Sequence, residues 1–402
     1  MGGTRRSTVW TRSAGLLLTV GAGWLVAMAL GVEDAPSSPG YLFAVNALLG
    51  FGLYASTRGI DLAEFRRHWG TVVAAVTLGV LLKVALIFGV LYLFHSRPEH
   101  LLLAVAVAQI DPLSVAALRA GSRLSEAGKT LLAAWSSFDD PITVLLTVYL
   151  TALVVGGDAP LSGAGLGTFA VNLGLNVALA GAAFALWHAI RRRRASRPGG
   201  GGPAGRAAMV AAVPAVGLLA ARFSLLPALA LIGLFYRPGR DADVDRAARV
   251  VMYLGTFAVG LVLVGGVDLA TGALLGLAAF LAQVVAAVLL TARPQWRGDR
   301  TRLALGQQNG LTAVILALML APVLPDAVAV IAPAIVVVNL LHAVTNSAFD
   351  RFRPPKPEPE PAPEPESELA TPPVVRTAFP AVPPRPALRV EIPSVVDAPV
   401  RH

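Results

Sequence analysis

The feature that most constrains this chain is a succession of apolar runs, most of them about 18–25 residues long, which is the length that crosses the roughly 30 Å hydrocarbon core of a bilayer as a helix. Inside that core every backbone polar group has to be satisfied by the segment itself, so helices are the expected form. Runs occur at roughly 14–32, 41–56, 71–94, 101–118, 130–154, 165–190, 207–221, 223–236, 250–265, 269–291, 303–321 and 327–349. The seventh and eighth are the shortest. The fold class expected is an all-α polytopic membrane protein with about twelve transmembrane helices.

Charge placement gives the topology. If the N-terminus lies inside, alternate loops carry Arg5, Arg6 and Arg12; Arg58, Arg66 and Arg67; Arg119, Arg123 and Lys129; Arg191 to Arg194, Arg197 and Arg206; Arg237, Arg240, Arg246 and Arg249; and Arg293, Arg297, Arg300 and Arg302. The opposite loops carry only Arg97 and Arg222 among basic residues, beside Glu33, Asp34, Glu99, Asp158, Asp268 and Asp326. Basic residues accumulate on the cytoplasmic side, so both termini are expected there, in a multi-pass protein of the plasma membrane. The net charge of +9 therefore reports topology and does not call for a nucleic-acid partner; the expected surroundings are the lipid bilayer. Arg5 and Arg6 before an apolar run also fit a secretory signal ending near Ala27-Met28-Ala29, but the run is long for such a signal and the alternation needs it retained.

The chain divides into a first membrane half, 1–190; a basic, Gly-rich cytoplasmic linker, 191–206, containing RRRRASRPGGGGPAG; a second membrane half, 207–352; and a tail, 353–402. The tail holds 15 of the 30 prolines and too few large apolar residues to build a core, so it reads as a disordered cytoplasmic extension with polyproline II character. Pro383-Pro384-Arg385-Pro386 would suit a docking partner, though a solvated tail without a fixed partner is the simpler reading. There is no cysteine, and no nucleotide-binding loop, nucleophile elbow or zinc motif. His68, His95, His100, His188 and His342 lack metal-ligand spacing; His342 and Asn346, one turn apart on the twelfth run, could line a cavity, but a packing role is the simpler reading. No enzymatic chemistry and no resident cofactor are expected.

The informative stretch is 108–149, AQIDPLSVAALRAGSRLSEAGKTLLAAWSSFDDPITVLLTVY. Two apolar segments carry Asp111-Pro112 and then Asp139-Asp140-Pro141. A carboxylate in hydrocarbon costs several kcal/mol, so such groups face a wet cavity and handle ions or protons, or else are bonded structurally to neighbouring helices. The halves also echo each other. Gln109-Ile110-Asp111-Pro112-Leu113-Ser114 lies opposite Gln307-Gln308-Asn309-Gly310-Leu311-Thr312, Lys83 opposite Gln283, and Asp140 opposite Asn339. Spans three to five correspond to ten to twelve, and the odd shift of seven inverts the second copy. Inverted repeats with interrupted helices meeting at the midplane are the pattern of secondary transporters. Pro112 removes a backbone donor and Gly310 loosens its helix, so spans 4 and 11 are expected to be discontinuous and crossed, with Asp111 and Asn309 answering the half-helix ends.

On these residues, IDP, then FDDP, then Gly306-Gln307-Gln308-Asn309-Gly310, the chain resembles the monovalent cation:proton antiporter superfamily, in its sodium/hydrogen exchanger-like, two-aspartate branch, over most of 14–349. The resemblance implies that Asp140 binds cation and proton alternately, with Asp139 as partner. It assigns Asp111, Gln307, Gln308 and Asn309 to the helix crossing, beside Pro112 and Gly310 already read there from their backbone chemistry, and it implies a homodimer. Relatives present Lys or Arg from the tenth span towards the acid pair; here Gln283 takes that place, and Gln cannot form a salt bridge. Lys83 is the alternative charge partner, or else it snorkels to an interface. Oxygens of Asp139, Asp140 and a hydroxyl such as Ser136 or Ser137 suit a hard monovalent cation: Na⁺, Li⁺ or K⁺, exchanged for H⁺. Two rival readings are a sodium-coupled symporter of an organic anion on the same architecture and a non-transporting membrane sensor.

Overall fold

The computed structural model describes residues 3–352 except 33, 39, 61, 113–114, 116–123, 155–164 and 196–202. The Pro-rich tail and the centre of the basic linker thus lie outside the described residues. The described chain is helical, with no strand. The helices are α1 (Gly3–Leu30), α2 (Tyr41–Arg58), α3 (Leu62–Ala74), α4 (Val80–His95), α5 (His100–Ala108), α6 (Glu126–Val154), α7 (Gly165–Ala195), α8 (Pro203–Arg222), α9 (Leu226–Phe235), α10 (Asp241–Val262), α11 (Leu269–Leu290), α12 (Arg300–Ala304), α13 (Leu311–Leu320) and α14 (Ala327–Phe352). Among the described residues, six helical stretches are long and apolar enough to cross a membrane, and four shorter apolar helices accompany them.

The innermost elements are the two short ones with no polar face. α5 reads HLLLAVAVA and buries all but Leu101; α13 reads LTAVILALML and buries all ten residues. A helix apolar all round has no side to offer water, so it ends in the centre of its bundle. The long helix α7 sits at the other extreme, with only 11% of its apolar window buried and Val171, Leu175, Phe184 and Leu186 turned outwards, as a lipid-facing helix would be.

The contacts sort the helices into two sets. In one, α1 packs on α10, and α2 on α8 and α9, with α9 against α7. In the other, α11 packs on α14, α4 and α5, and α5 on α6 and α13. The second set holds runs three to five and ten to twelve, the six that carry the repeat. α2 and α10 both touch α13 and so join the sets. Within the first set, close approach is a matter of small residues. A Cβ on Gly23 would overlap the Phe257 carbonyl, and one on Gly260 the Val20 carbonyl, so α1 and α10 meet backbone to backbone.

Two departures from regular helix aim side chains at the centre. Residues Ala75–Gly79 form a π turn that joins α3 to α4 and changes the helical phase just before Lys83. The eleventh run, 303–321, is split: α12 ends at Ala304, α13 starts at Leu311, and 305–310 is non-helical. The fourth run is described as helix only to Ala108, after which Gln109 turns extended with ψ of 160°.

Candidate functional site

The backbone groups left over where these helices stop decide how the centre is built, because in an apolar interior each needs a partner. At the end of α5, the Val107 carbonyl accepts from Gln307 Nε2 at 3.1 Å and from Asn309 Nδ2 at 3.0 Å, and the Gln109 carbonyl accepts from Gln307 Nε2 at 2.7 Å. Asp111 N donates to the Gln308 carbonyl at 2.8 Å. The two breaks, some two hundred residues apart in sequence, therefore satisfy each other.

Beyond the first break, the Asp111 carbonyl accepts from Val115 N at 3.1 Å. Pro112 follows Asp111 at a position where its missing N–H leaves no helical bond unmade. Gly310 is where the second break admits the first: a Cβ there would overlap the Asp111 carboxylate. The carbonyls at the end of α12 are met from neighbouring helices. Gln283 Nε2 donates to Leu303 O at 3.2 Å, while Asn346 Nδ2 donates to Leu305 O at 2.9 Å and His342 Nδ1 bonds the same oxygen at 2.7 Å. His342 and Asn346 thus hold the break in place, a role more specific than packing.

Beside this junction lies the acid pair on α6. Asp139 and Lys83 are both 0% exposed, and Lys83 Nζ donates to Asp139 Oδ2 at 3.1 Å while lying 5.5 Å from the Trp135 ring centroid. Ile110 N, in the first break, donates to the same oxygen at 3.2 Å. Lys83 thus points into the protein, towards an acid, and does not snorkel. The sequence offset places Asp140 opposite Asn339, but the contacts match Asp139 to Asn339 instead. Asn339 Oδ1 accepts from Asn309 N at 3.1 Å in the second break, as Asp139 Oδ2 accepts from Ile110 N in the first. Asn339 Nδ2 also donates to the Asn309 carbonyl at 2.8 Å.

Asp140 has a different environment. Its Oδ2 accepts from Thr312 Oγ1 at 2.9 Å. The Gln109 amide, oriented so that both its atoms are satisfied, donates to Asp140 Oδ1 at 2.7 Å and accepts from Ala313 N at 2.7 Å. The carboxylate therefore faces the first turn of α13, where unpaired N–H groups favour a negative charge. Among the described residues no basic side chain pairs with it. Pro141 also has no N–H, so the Ser137 carbonyl one turn earlier lacks its usual helical donor.

Of the residues singled out from the sequence, Lys83, Asp111, Pro112, Asp139, Asp140, Gln307, Asn309 and Gly310 are drawn into this one region. Gln308 takes part through its carbonyl. Gln283 is buried but turned to α12, and the Ser136 hydroxyl donates to Ala133 O at 3.1 Å on its own helix. Ser137 is buried without an assigned contact. Gln109 and Thr312, quoted only as part of the repeat, are the groups that touch Asp140; the available signal was their position flanking Asp111 and Gly310.

A surface opening of about 680 Å³ lies elsewhere, between Arg58, Ile60, Arg237 and Asp241. Its Arg58 is occupied by Asp241 at 3.0 Å and the Pro238 carbonyl at 2.7 Å, which ties α2 to the start of α10.

No family model matches the chain, and no curated protein matches its sequence. Among solved structures the fold is similar to that of the sodium proton antiporter MjNhaP1 from Methanocaldococcus jannaschii, with a TM-score of 0.61 and 16% sequence identity over 83% of this chain and 92% of that one. At that identity the likeness is one of fold.

Proposed function

We propose that this chain is a secondary transporter that exchanges a monovalent cation for protons by alternating access, with Asp139 and Asp140 as the ion and proton site. The observation that carries the reading is Asp140: a buried carboxylate, met by a hydroxyl and an amide but by no described basic residue, set where two helix breaks abut. A buried charge without a counter-charge is expensive, so the group holds either a proton or a cation. That either-or occupancy is the physical content of exchange. The fold shared with a sodium proton antiporter supports the same reading.

The second acid is treated differently, because Lys83 neutralises Asp139. When a cation enters between the carboxylates, Asp139 can turn from the ammonium to the ion, so that Asp139, Asp140 and Lys83 respond to it as a coupled set and not independently. On this reading the chain crosses the membrane twelve times with both termini cytoplasmic, as the arginine-rich loops argue. The repeat-bearing set of helices rocks against the other, carrying the site from one side to the other.

Proteoliposomes containing the protein, given a pH gradient and then Na⁺, Li⁺ or K⁺ in turn, with and without an imposed voltage, test this. Cation-dependent proton movement is expected, and dependence on voltage reports the net charge moved. Uptake of an organic anion driven by Na⁺ without proton movement would replace exchange by symport, and no flux at all would leave a sensor.

A further inference from the structure

The exchange reading leaves open which neutral oxygen completes the cation site: on α6 the Ser136 hydroxyl is turned back to Ala133 O, while across the junction the Thr312 hydroxyl of α13 lies directly on Asp140. We propose that Thr312 is that ligand, and that it sets the affinity for the transported alkali cation and the preference among Na⁺, Li⁺ and K⁺. The proposal rests on the exchange reading and adds to it a residue from the second repeat.

Three features of the structure carry it. Thr312 and Asp140 are both buried, and the hydroxyl lies 2.9 Å from Asp140 Oδ2, within the shell that an ion on that carboxylate would occupy. A hydroxyl has one donor and two lone pairs, so it serves both occupancies. With the cation absent and Asp140 protonated, Thr312 donates to a carboxyl oxygen of Asp140. With the cation present, the O–H turns away and an oxygen lone pair faces the ion, with no movement of the side chain's heavy atoms. Hard monovalent cations are well matched by such oxygen donors.

The position is also defined on both sides. Thr312 is the second residue of α13, fixed by the break at 305–310, and Gln109 links Asp140 Oδ1 to Ala313 N through one amide. The carboxylate is thereby held to the first turn of α13 by two adjacent side-chain contacts, which sets the spacing between Asp140 and the hydroxyl. A fixed spacing discriminates among ions of different radius, where a flexible one adapts. Because Asp140 belongs to α6 and Thr312 to α13, the ion would bridge the two repeats. Its arrival or departure is then felt in both at once.

The experiment is proton exchange in proteoliposomes for wild type, Thr312→Val, Thr312→Ser and Thr345→Val, with the KM for each cation as readout. Thr345 bonds Leu341 O within its own helix, away from the acid pair, and serves as control. T312V, of nearly the same shape, should raise the KM for the preferred cation about tenfold or more, the usual worth of one hydrogen bond to a charged group. It should also narrow the differences among the three cations. T312S should restore both, and T345V should resemble wild type. Should T312V fail to insert, T312A carries the same expectation, and thermal melting with added Na⁺ or Li⁺ reads binding without transport. Wild-type exchange with an unaltered KM and preference in T312V or T312A overturns this proposal alone. Absence of cation-dependent proton movement in wild type overturns the exchange reading, and this proposal with it.

Discussion

Lys83 and Asp139 meet at 3.1 Å with neither side chain reaching solvent. A buried pair of this kind contributes little net stability, yet breaking it from one side costs about 3–5 kcal/mol because a charge is left unpartnered, whereas removing both charges together is far cheaper. Lys83→Gln alone should therefore lower thermal stability markedly and alter the pH dependence of exchange as much as a change in the acid pair does. Lys83→Gln combined with Asp139→Asn should recover most of the stability. Unfolding of the two variants in detergent measures this; equal losses in both would mean that the pair is not coupled as drawn. Asp140, by contrast, spends its contacts on Thr312 and Gln109, and so differs from its neighbour in chemistry although the two are adjacent in sequence. That difference was not legible in the sequence, where the pair reads as two like acids. The charge partner was half legible, since a lysine in an apolar run needs an acid but does not say which one.

At the scale of elements, each break answers the other. Gln307 and Asn309 satisfy the end of α5, Gln308 receives Asp111 N, and Gly310 leaves room for the Asp111 carboxylate. A methyl at 310 has nowhere to go except into that carboxylate. Gly310→Ala should thus cost about 1–3 kcal/mol, the usual penalty of overpacking, and slow exchange through displacement of Asp111. A variant as stable and as active as wild type would show that the two breaks do not depend on close contact. Much of this was legible: Pro112 and Gly310 at matched positions of two echoing segments suggest interruption without any coordinates. What could not be read is which groups pair, because Gln109 with Ala313, or His342 with Leu305, become neighbours only when distant helices are brought together. The π turn at Ala75–Gly79 likewise has no clear mark in its letters, AVTLG, although it sets the phase of the helix that presents Lys83.

For the molecule as a whole, the apolar, helical character was readable because it records the solvent, lipid or water, and not a partner: among the described residues six helical stretches are long and apolar enough to cross a membrane and four shorter apolar helices accompany them. The grouping of runs three to five with ten to twelve follows the repeat and places the acid pair within the set that would move. The account stands or falls on one carboxylate taking a proton and a cation in turn. The most direct measurement is cation-driven proton movement in proteoliposomes containing wild type or Asp140→Asn protein at equal, folded density. The account predicts that adding the transported cation moves protons in wild type and none in D140N. Cation-dependent proton exchange by D140N at the wild-type rate would contradict it.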